Sequence, residues 1–133
     1  SSDLAKLKTV LLILSIIVVT ACGQKSGVAG FEEAKARAAK QEPQLESYDR
    51  HMLNMIRDRA VDRAISACMP TPLPNDTPSF AVVLELDSVA GVKNTWLSSE
   101  SELARCIELE LVKIFTFLPP TVPFYTELEF KFE

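Results

Sequence analysis

The chain has 133 residues, of which 47% are hydrophobic, and its formal net charge at pH 7 is −4. This acidic balance argues against nucleic acid or an anionic lipid surface as the main partner, since both require clustered Lys and Arg. The residues that follow the apolar run near the start of the chain suffice for one small domain. A domain of that size is only marginally stable unless a cross-link supports it.

Residues 9–21 form an apolar run with the layout of a bacterial export signal. Lys6 and Lys8 supply a short positive region before it, and Leu, Ile and Val make up most of the run. It is shorter than the stretch of about 20 apolar residues that a transmembrane helix needs. The run ends in Val19-Thr20-Ala21-Cys22, which resembles the lipobox of bacterial lipoproteins.

That resemblance implies that residues 1–21 are a signal peptide and that Cys22 becomes the acylated first residue of the mature chain. Several acyl chains anchor a protein stably, whereas a single chain binds a membrane only marginally. We therefore expect the protein at the periplasmic face of a bacterial membrane, and Gly23 in place of Asp favours the outer membrane. The alternative is an uncleaved signal anchor in a subunit of an inner-membrane complex, with Cys22 as an ordinary thiol.

Residues 22–47 are expected to separate the lipid from the domain. Residues 23–30 are small, polar and flexible, which is typical of a tether. Residues 31–42 favour a helix by their composition, but nearly all of their apolar side chains are alanine. We predict a frayed helical spacer that buries little by itself and ends at Pro43. The alternative is a partner-binding helix.

Residues 44–69 are the first convincing helix of the sequence. Apolar residues at steps of three and four predict its buried side, which consists of Leu53, Ile56, Ala60, Val61, Ala64, Ile65 and Cys68. The other side carries interleaved acidic and basic residues. Such a pattern usually forms a solvated face, and a charged binding patch is the alternative. Prolines at positions 70, 72, 74 and 78 prevent the helix from continuing.

Three later segments alternate between apolar and polar residues and predict β-strands. Residues 79–87 and 92–97 form a hairpin across the turn at residues 88–91. The final segment begins after Pro123 and has the cleanest alternation. The side chains expected to point inward are Phe124, Thr126, Leu128, Phe130 and Phe132, and those expected to point outward are Tyr125, Glu127, Glu129, Lys131 and Glu133.

A second amphipathic helix lies between the hairpin and the final strand. Ser99 and Glu102 match a capping box, which predicts the start of this helix, and its buried side runs to Leu118. Cys106 is on that side, where Cys68 of the first helix could meet it. In an exported chain these two thiols are most simply a disulfide, worth about 2–4 kcal/mol. Buried free thiols or a redox pair are the alternatives.

The order helix, strand, strand, helix, strand predicts an α+β fold with helices packed on one face of a small antiparallel sheet. Residues 48–133 resemble the TonB carboxy-terminal domain group, particularly its disulfide-bearing relatives among gliding-motility and envelope proteins. The matching residues are Cys68, Asp87-Ser88, Gly91, Val92, Ala104-Arg105-Cys106-Ile107, Pro119-Pro120, Phe130 and Phe132. A long Pro-rich arm does not follow the apolar run, so the resemblance does not extend to energy transduction.

We expect a non-catalytic interaction or scaffold subunit of a multiprotein envelope assembly of the transport, secretion or motility type. The candidate partner-binding residues lie on the final strand, since an edge strand can bind a partner's extended segment: Tyr125, Glu127, Glu129 and Lys131. Their charges could instead protect the edge from aggregation. An alternative function is binding of peptidoglycan or a small envelope ligand. The covalent lipid on Cys22 is the only attached group expected.

Two sets of residues could support catalysis or metal binding. His51 could act with Cys68 or Ser66, and Glu85 with Asp87 could form a carboxylate pair. A catalytic nucleophile needs a neighbouring base and a third group that orients the base. Neither set offers a nucleophile, a base and an orienting group together. His51 is also the only histidine in the chain, which leaves too few soft ligands for a metal site. We therefore predict no enzyme activity, no cofactor and no metal.

Overall fold

The computed structural model describes residues 28–69 and 74–132 of the chain. The elements in these ranges are α1 (Phe31–Gln41), a 3-10 turn (Glu42–Gln44), α2 (Ser47–Cys68), β1 (Phe80–Leu86), β2 (Val92–Leu97), α3 (Glu102–Ile114) and β3 (Phe124–Phe130). The predicted α+β class and the order helix, strand, strand, helix, strand are confirmed from α2 onward. The predicted export signal and Cys22 lie outside the described residues. Among the described helices, none is both long enough and apolar enough to cross a bilayer.

β1 is the central strand of a three-stranded sheet. It pairs antiparallel with both neighbours, so the order across the sheet is β2-β1-β3. The turn between β1 and β2 is held by Asp87, whose Oδ1 accepts the backbone N–H groups of Val89 at 3.0 Å and Gly91 at 3.2 Å. Within that turn Ala90 adopts the left-handed conformation, with φ at 67°. The hairpin predicted from the sequence is therefore present, with a turn fixed by its own aspartate.

The larger core lies between one face of the sheet and the helices α2 and α3. Its buried residues include Phe80, Val82, Leu84 and Leu86 of β1, Phe124, Leu128 and Phe130 of β3, Leu53, Ala60 and Ala64 of α2, and Ala104, Ile107 and Leu111 of α3. These positions are the period-two and helical stripes of the sequence. Complete burial of a large apolar side chain contributes roughly 1.5–3 kcal/mol, so this core supplies most of the stabilisation.

α1 packs on the opposite face of the sheet, so helices lie on both faces. Ala34 and Ala38 are 0% and 1% exposed and form a second buried cluster with Val83 and Tyr125. The expectation that residues 31–42 are a frayed spacer that buries little by itself is corrected by this packing. Alanine side chains let the helix lie close to the sheet, and the sheet supplies the larger apolar groups, including Trp96.

Both ends of α3 differ from the prediction. Ser101 rather than Ser99 is the N-cap, and its Oγ accepts the backbone N–H of Ala104 at 3.0 Å. The helix ends at Ile114, so Leu118 lies beyond it and is 66% exposed. Phe117 is buried in its place and donates its backbone N–H to the Ala90 carbonyl at 3.2 Å. This contact draws the chain away from the helix axis and toward the hairpin turn.

A disulfide joins the two helices on the larger core. Cys68 is the last residue of α2, and its Sγ is bonded to that of Cys106 on α3, with 5.8 Å between the two Cα atoms. The pairing predicted from the cysteine count is therefore present. Neither cysteine is therefore a free thiol.

Candidate interaction site

The two edge strands of the sheet, β2 and β3, are the places where a further strand could be added. The structure confirms that β3, the strand chosen from the sequence, is at an edge. In an antiparallel ladder every second residue directs its backbone N–H and C=O toward a given neighbour. The accessibility of each edge therefore depends on whether those alternate groups already have partners.

The first half of the β3 edge is occupied by a side chain from the end of α1. The Oε1 atom of Gln41 accepts the backbone N–H of Tyr125 at 2.8 Å, and its Nε2 atom donates to the Pro123 carbonyl at 2.9 Å. One side-chain amide thus makes two of the hydrogen bonds that backbone groups of a neighbouring strand would otherwise make. A partner strand cannot pair at Tyr125 while Gln41 is in place.

Glu42 and Arg57 occupy the next positions along the same edge. The Oε2 atom of Glu42 accepts the backbone N–H of Glu127 at 3.4 Å, and Nη1 of Arg57 donates to the Glu127 carbonyl at 3.3 Å. Arg57 also forms an ion pair with Glu42 and donates to Oγ1 of Thr126 at 3.4 Å. We call Gln41, Glu42 and Arg57 the edge guard, because together they bind the Pro123 carbonyl, the Tyr125 N–H and both backbone groups of Glu127.

The Glu127 side chain lies beside the edge guard, in surroundings that disfavour its charged form. Its Oε2 atom is buried and has no hydrogen-bond partner among the described residues, and Nζ of Lys35 is 3.9 Å away. Burial raises the pKa of Glu127 above its ordinary value of 4.5, and the carboxylates of Glu129 and Glu42 add to this, while Lys35 lowers the pKa. The folded domain therefore holds a proton on Glu127 more readily than the unfolded chain does.

The four predicted partner-binding residues thus fall into two groups. Tyr125 and Glu127 are engaged by the edge guard, whereas Glu129 and Lys131 are exposed and form an ion pair with each other at 3.3 Å. The edge guard itself could not be found from the sequence. Arg57 belongs to the interleaved charges of α2, which predicted a solvated face, and nothing in the local pattern distinguishes it from its neighbours.

The β2 edge is open where the β3 edge is closed. Ser98 donates its backbone N–H to the Ala81 carbonyl at 3.0 Å, so alternation directs the backbone groups of Thr95 and Leu97 away from β1. Among the described residues, none forms a hydrogen bond with these outward backbone groups. Thr95 and Leu97 therefore present the unpaired groups that an added strand would use.

An exposed apolar side chain of α3 lies near the β2 edge. Oγ1 of Thr95 donates to Oε2 of Glu108 at 2.8 Å, which places this side of the helix over β2. Val112 follows Glu108 by one turn on that side and is 46% exposed. An added strand would thus find backbone partners on β2 and apolar contacts on α3.

A polar pocket of about 380 Å³ lies on the face of the sheet that α1 covers. Glu85 is 4% exposed there, accepts hydrogen bonds from Asn94 Nδ2 at 3.1 Å and Tyr125 Oη at 3.4 Å, and lies 3.8 Å from Nζ of Lys93. Burial and the Glu85 carboxylate raise the pKa of Tyr125 above 10.0, and the guanidinium of Arg37, 5.5 Å from the ring centroid, opposes that shift. The pocket thus has both acidic and basic side chains in its lining, including Arg37, Lys93 and Glu85.

The residues considered for catalysis are not assembled into a reactive set. Cys68 is bonded to Cys106, which removes it as a nucleophile for His51. Glu85 is buried rather than exposed on its strand, and Asp87 is engaged by the N–H groups of the hairpin turn. Within residues 28–69 and 74–132, no three His, Cys, Asp or Glu side chains are grouped closely enough to hold a metal ion.

Comparison with known proteins finds no matching family model, no matching curated protein and no matching solved structure.

Proposed function

We propose that this protein is a lipid-anchored subunit of a bacterial envelope assembly and that its domain binds an extended segment of a partner protein. The observation that carries the proposal is the open β2 edge, where Thr95 and Leu97 present unpaired backbone groups. Strand addition at such an edge gives affinity through the main chain and specificity through alternate side chains. The chemistry needed is recognition, with no catalytic residue and no cofactor.

The partner strand is placed on β2 rather than on the first half of β3. The edge guard already occupies β3 at Tyr125 and Glu127, so binding there would require three side chains to leave. On β2 the strand needs only to displace water. An apolar residue of the partner that points toward α3 would cover Val112, which is exposed in the isolated chain.

The anchor is the second part of the proposal and depends on Cys22, which lies outside the described residues. An acylated Cys22 would hold the domain at the periplasmic face of the outer membrane, close to partners in the same envelope. Intact mass measurement of the protein extracted from its native membrane tests this directly. Added lipid on Cys22 is expected, and a bare thiol with residues 1–21 still attached would overturn the anchor.

Partner binding is tested by replacing Thr95, whose N–H points away from β1. The change Thr95→Pro removes that N–H without removing a hydrogen bond to β1, and Thr95→Ala is the matched control, since it loses only the bond to Glu108. After gentle detergent extraction, neighbours should co-purify with the wild type and with Thr95→Ala but not with Thr95→Pro. Retention of the same neighbours by folded Thr95→Pro protein would exclude the β2 edge. A lone monomer in the wild type at every concentration would count against the assembly.

A second candidate function is binding of an acidic cell-wall component in the polar pocket. The supporting observation is that Arg37 and Lys93 line this pocket beside buried Glu85, and its volume of about 380 Å³ is within the range of small-ligand sites. Purified sacculi should then retain the wild type and release Lys93→Ala protein. Lys113→Ala, on exposed α3, is the control. Equal retention of both variants would exclude the pocket.

A further inference from the structure

The edge guard determines which edges of the sheet can accept a strand. Without it, β3 would present the backbone groups of Tyr125 and Glu127 on one side of the domain, while β2 presents those of Thr95 and Leu97 on the other. Two open edges on opposite sides of one sheet allow copies to join head to tail. Such contacts do not close on themselves and build open-ended chains of molecules.

Charge disfavours the pairing of two β3 edges, which leaves β3 against β2 of a second copy. Glu127 and Glu129 are the carboxylates of β3 and lie 3.9 Å from Lys35 and 3.3 Å from Lys131, and Lys93, 3.8 Å from Glu85, is the charged residue of β2. Two β3 edges would place carboxylates against each other, which destabilises cross-strand pairs. A β2 strand would instead bring a lysine toward the glutamates.

We propose that the edge guard prevents this self-association by occupying the β3 edge with groups from the same chain. Gln41 supplies the donor and acceptor that a strand would supply, and Arg57 holds Glu42 in place by an ion pair while donating to the Glu127 carbonyl. The β2 edge, whose outward groups have no partner among residues 28–69 and 74–132, then stays available to a different partner. This inference uses the same open β2 edge as the proposed function but requires no partner protein.

The test replaces two members of the edge guard in the full chain, purified in mild detergent. The double variant Gln41→Ala, Glu42→Ala is compared with Gln44→Ala, Glu46→Ala, which removes the same two residue types from exposed neighbouring positions. Analytical ultracentrifugation over a concentration series measures mass, and amide hydrogen exchange at Tyr125 and Glu127 reports whether the edge has opened. We expect faster exchange and a mass that rises beyond a dimer only in the first variant.

Adding Thr95→Pro to the edge-guard variant separates ordered β3–β2 pairing from aggregation of a misfolded chain. Because proline blocks the β2 edge, the triple variant should return to the mass of the wild type. A double variant that keeps the wild-type mass although its edge amides exchange faster would overturn the proposal. So would unchanged exchange at Tyr125 and Glu127, or a raised mass that Thr95→Pro does not reverse. None of these results would bear on whether the intact protein recruits partners.

Discussion

Cys68 and Cys106 are bonded across a sequence separation of 38 residues and tie the last turn of α2 to α3. Both helices pack on the same face of the sheet and contribute to the larger core. The bond therefore restrains the two elements that cover that core from outside. In a domain this small, the larger core alone makes the folded state only slightly more stable than the unfolded chain. The disulfide is therefore expected to contribute substantially to stability.

Removing the disulfide should destabilise the domain substantially. The double change Cys68→Ala, Cys106→Ala is expected to lower the free energy of unfolding by about 2–4 kcal/mol, because the unfolded chain regains the freedom of a long loop. Urea denaturation of the variant measures the loss. Reduction of the wild type should lower the midpoint in the same direction, and an unchanged midpoint after complete reduction would show that the bond carries no stability.

The end of α3 provides a comparison between two adjacent residues. Phe117 is 5% exposed and Leu118 is 66% exposed. Phe117→Ala should cost about 3–5 kcal/mol through the lost contacts and the cavity left behind. Leu118→Ala should stay within about 0.5 kcal/mol of the wild type. Thermal and urea unfolding of both variants would distinguish them, and a larger effect at Leu118 would mean that α3 continues through that position.

The N-terminus of α3 can be tested with two serines. Ser101 caps the helix through the N–H of Ala104, whereas Ser99 lies outside the helix. Ser101→Ala should lower the free energy of unfolding by about 1 kcal/mol, the usual cost of a lost N-cap. Ser99→Ala should have almost no effect. The opposite ranking in chemical denaturation would restore the capping box expected from Ser99 and Glu102.

The packing of α1 can be tested with two alanines of the same helix. Ala38 is 1% exposed against the sheet, while Ala39, the next residue, is exposed. Ala38→Leu should cost about 1–3 kcal/mol because the added atoms have no space between helix and sheet. Ala39→Leu should be nearly neutral. Equal stability of the two variants would indicate a helix that is not docked.

Glu127 should make stability depend on pH. Because its pKa is raised in the folded state, folding is favoured while Glu127 is protonated, and that contribution is lost as the pH rises through the raised value. Glu127→Gln should remove this dependence, so its stability relative to the wild type should improve as the pH rises from about 4 to about 7. Unfolding curves across that range measure the difference.

The control for this prediction is Glu100→Gln, at a position that does not contribute to the pKa of Glu127. The Glu100 side chain is 73% exposed, so a change in its charge should be screened by solvent and leave the pH profile close to that of the wild type. A wild-type profile that is already flat, or one that Glu127→Gln leaves unchanged, would show that the buried carboxylate does not control it.

The sequence predicted most of the helices and strands, because these elements depend on the local periodicity of apolar residues. Apolar residues at steps of two define β1 and β3, and steps of three and four define the buried sides of α2 and α3. The cysteine count predicted the disulfide. The ends of α3 were misplaced because Ser99 and Ser101 are chemically equivalent caps, and only the path of the chain toward Ala90 distinguishes Phe117 from Leu118.

The sequence by itself determined the α+β class, the order of its elements from α2 onward and the cysteine pair that joins two of them. Only the tertiary structure decided that α1 packs on the sheet and that the first half of the β3 edge is occupied, while the β2 edge has no partner among the described residues. The reason is distance along the chain: the hydrogen bond between Gln41 and Tyr125 spans 84 residues. A contact of that kind leaves no periodic trace in the sequence, because it depends on how complete elements pack against one another.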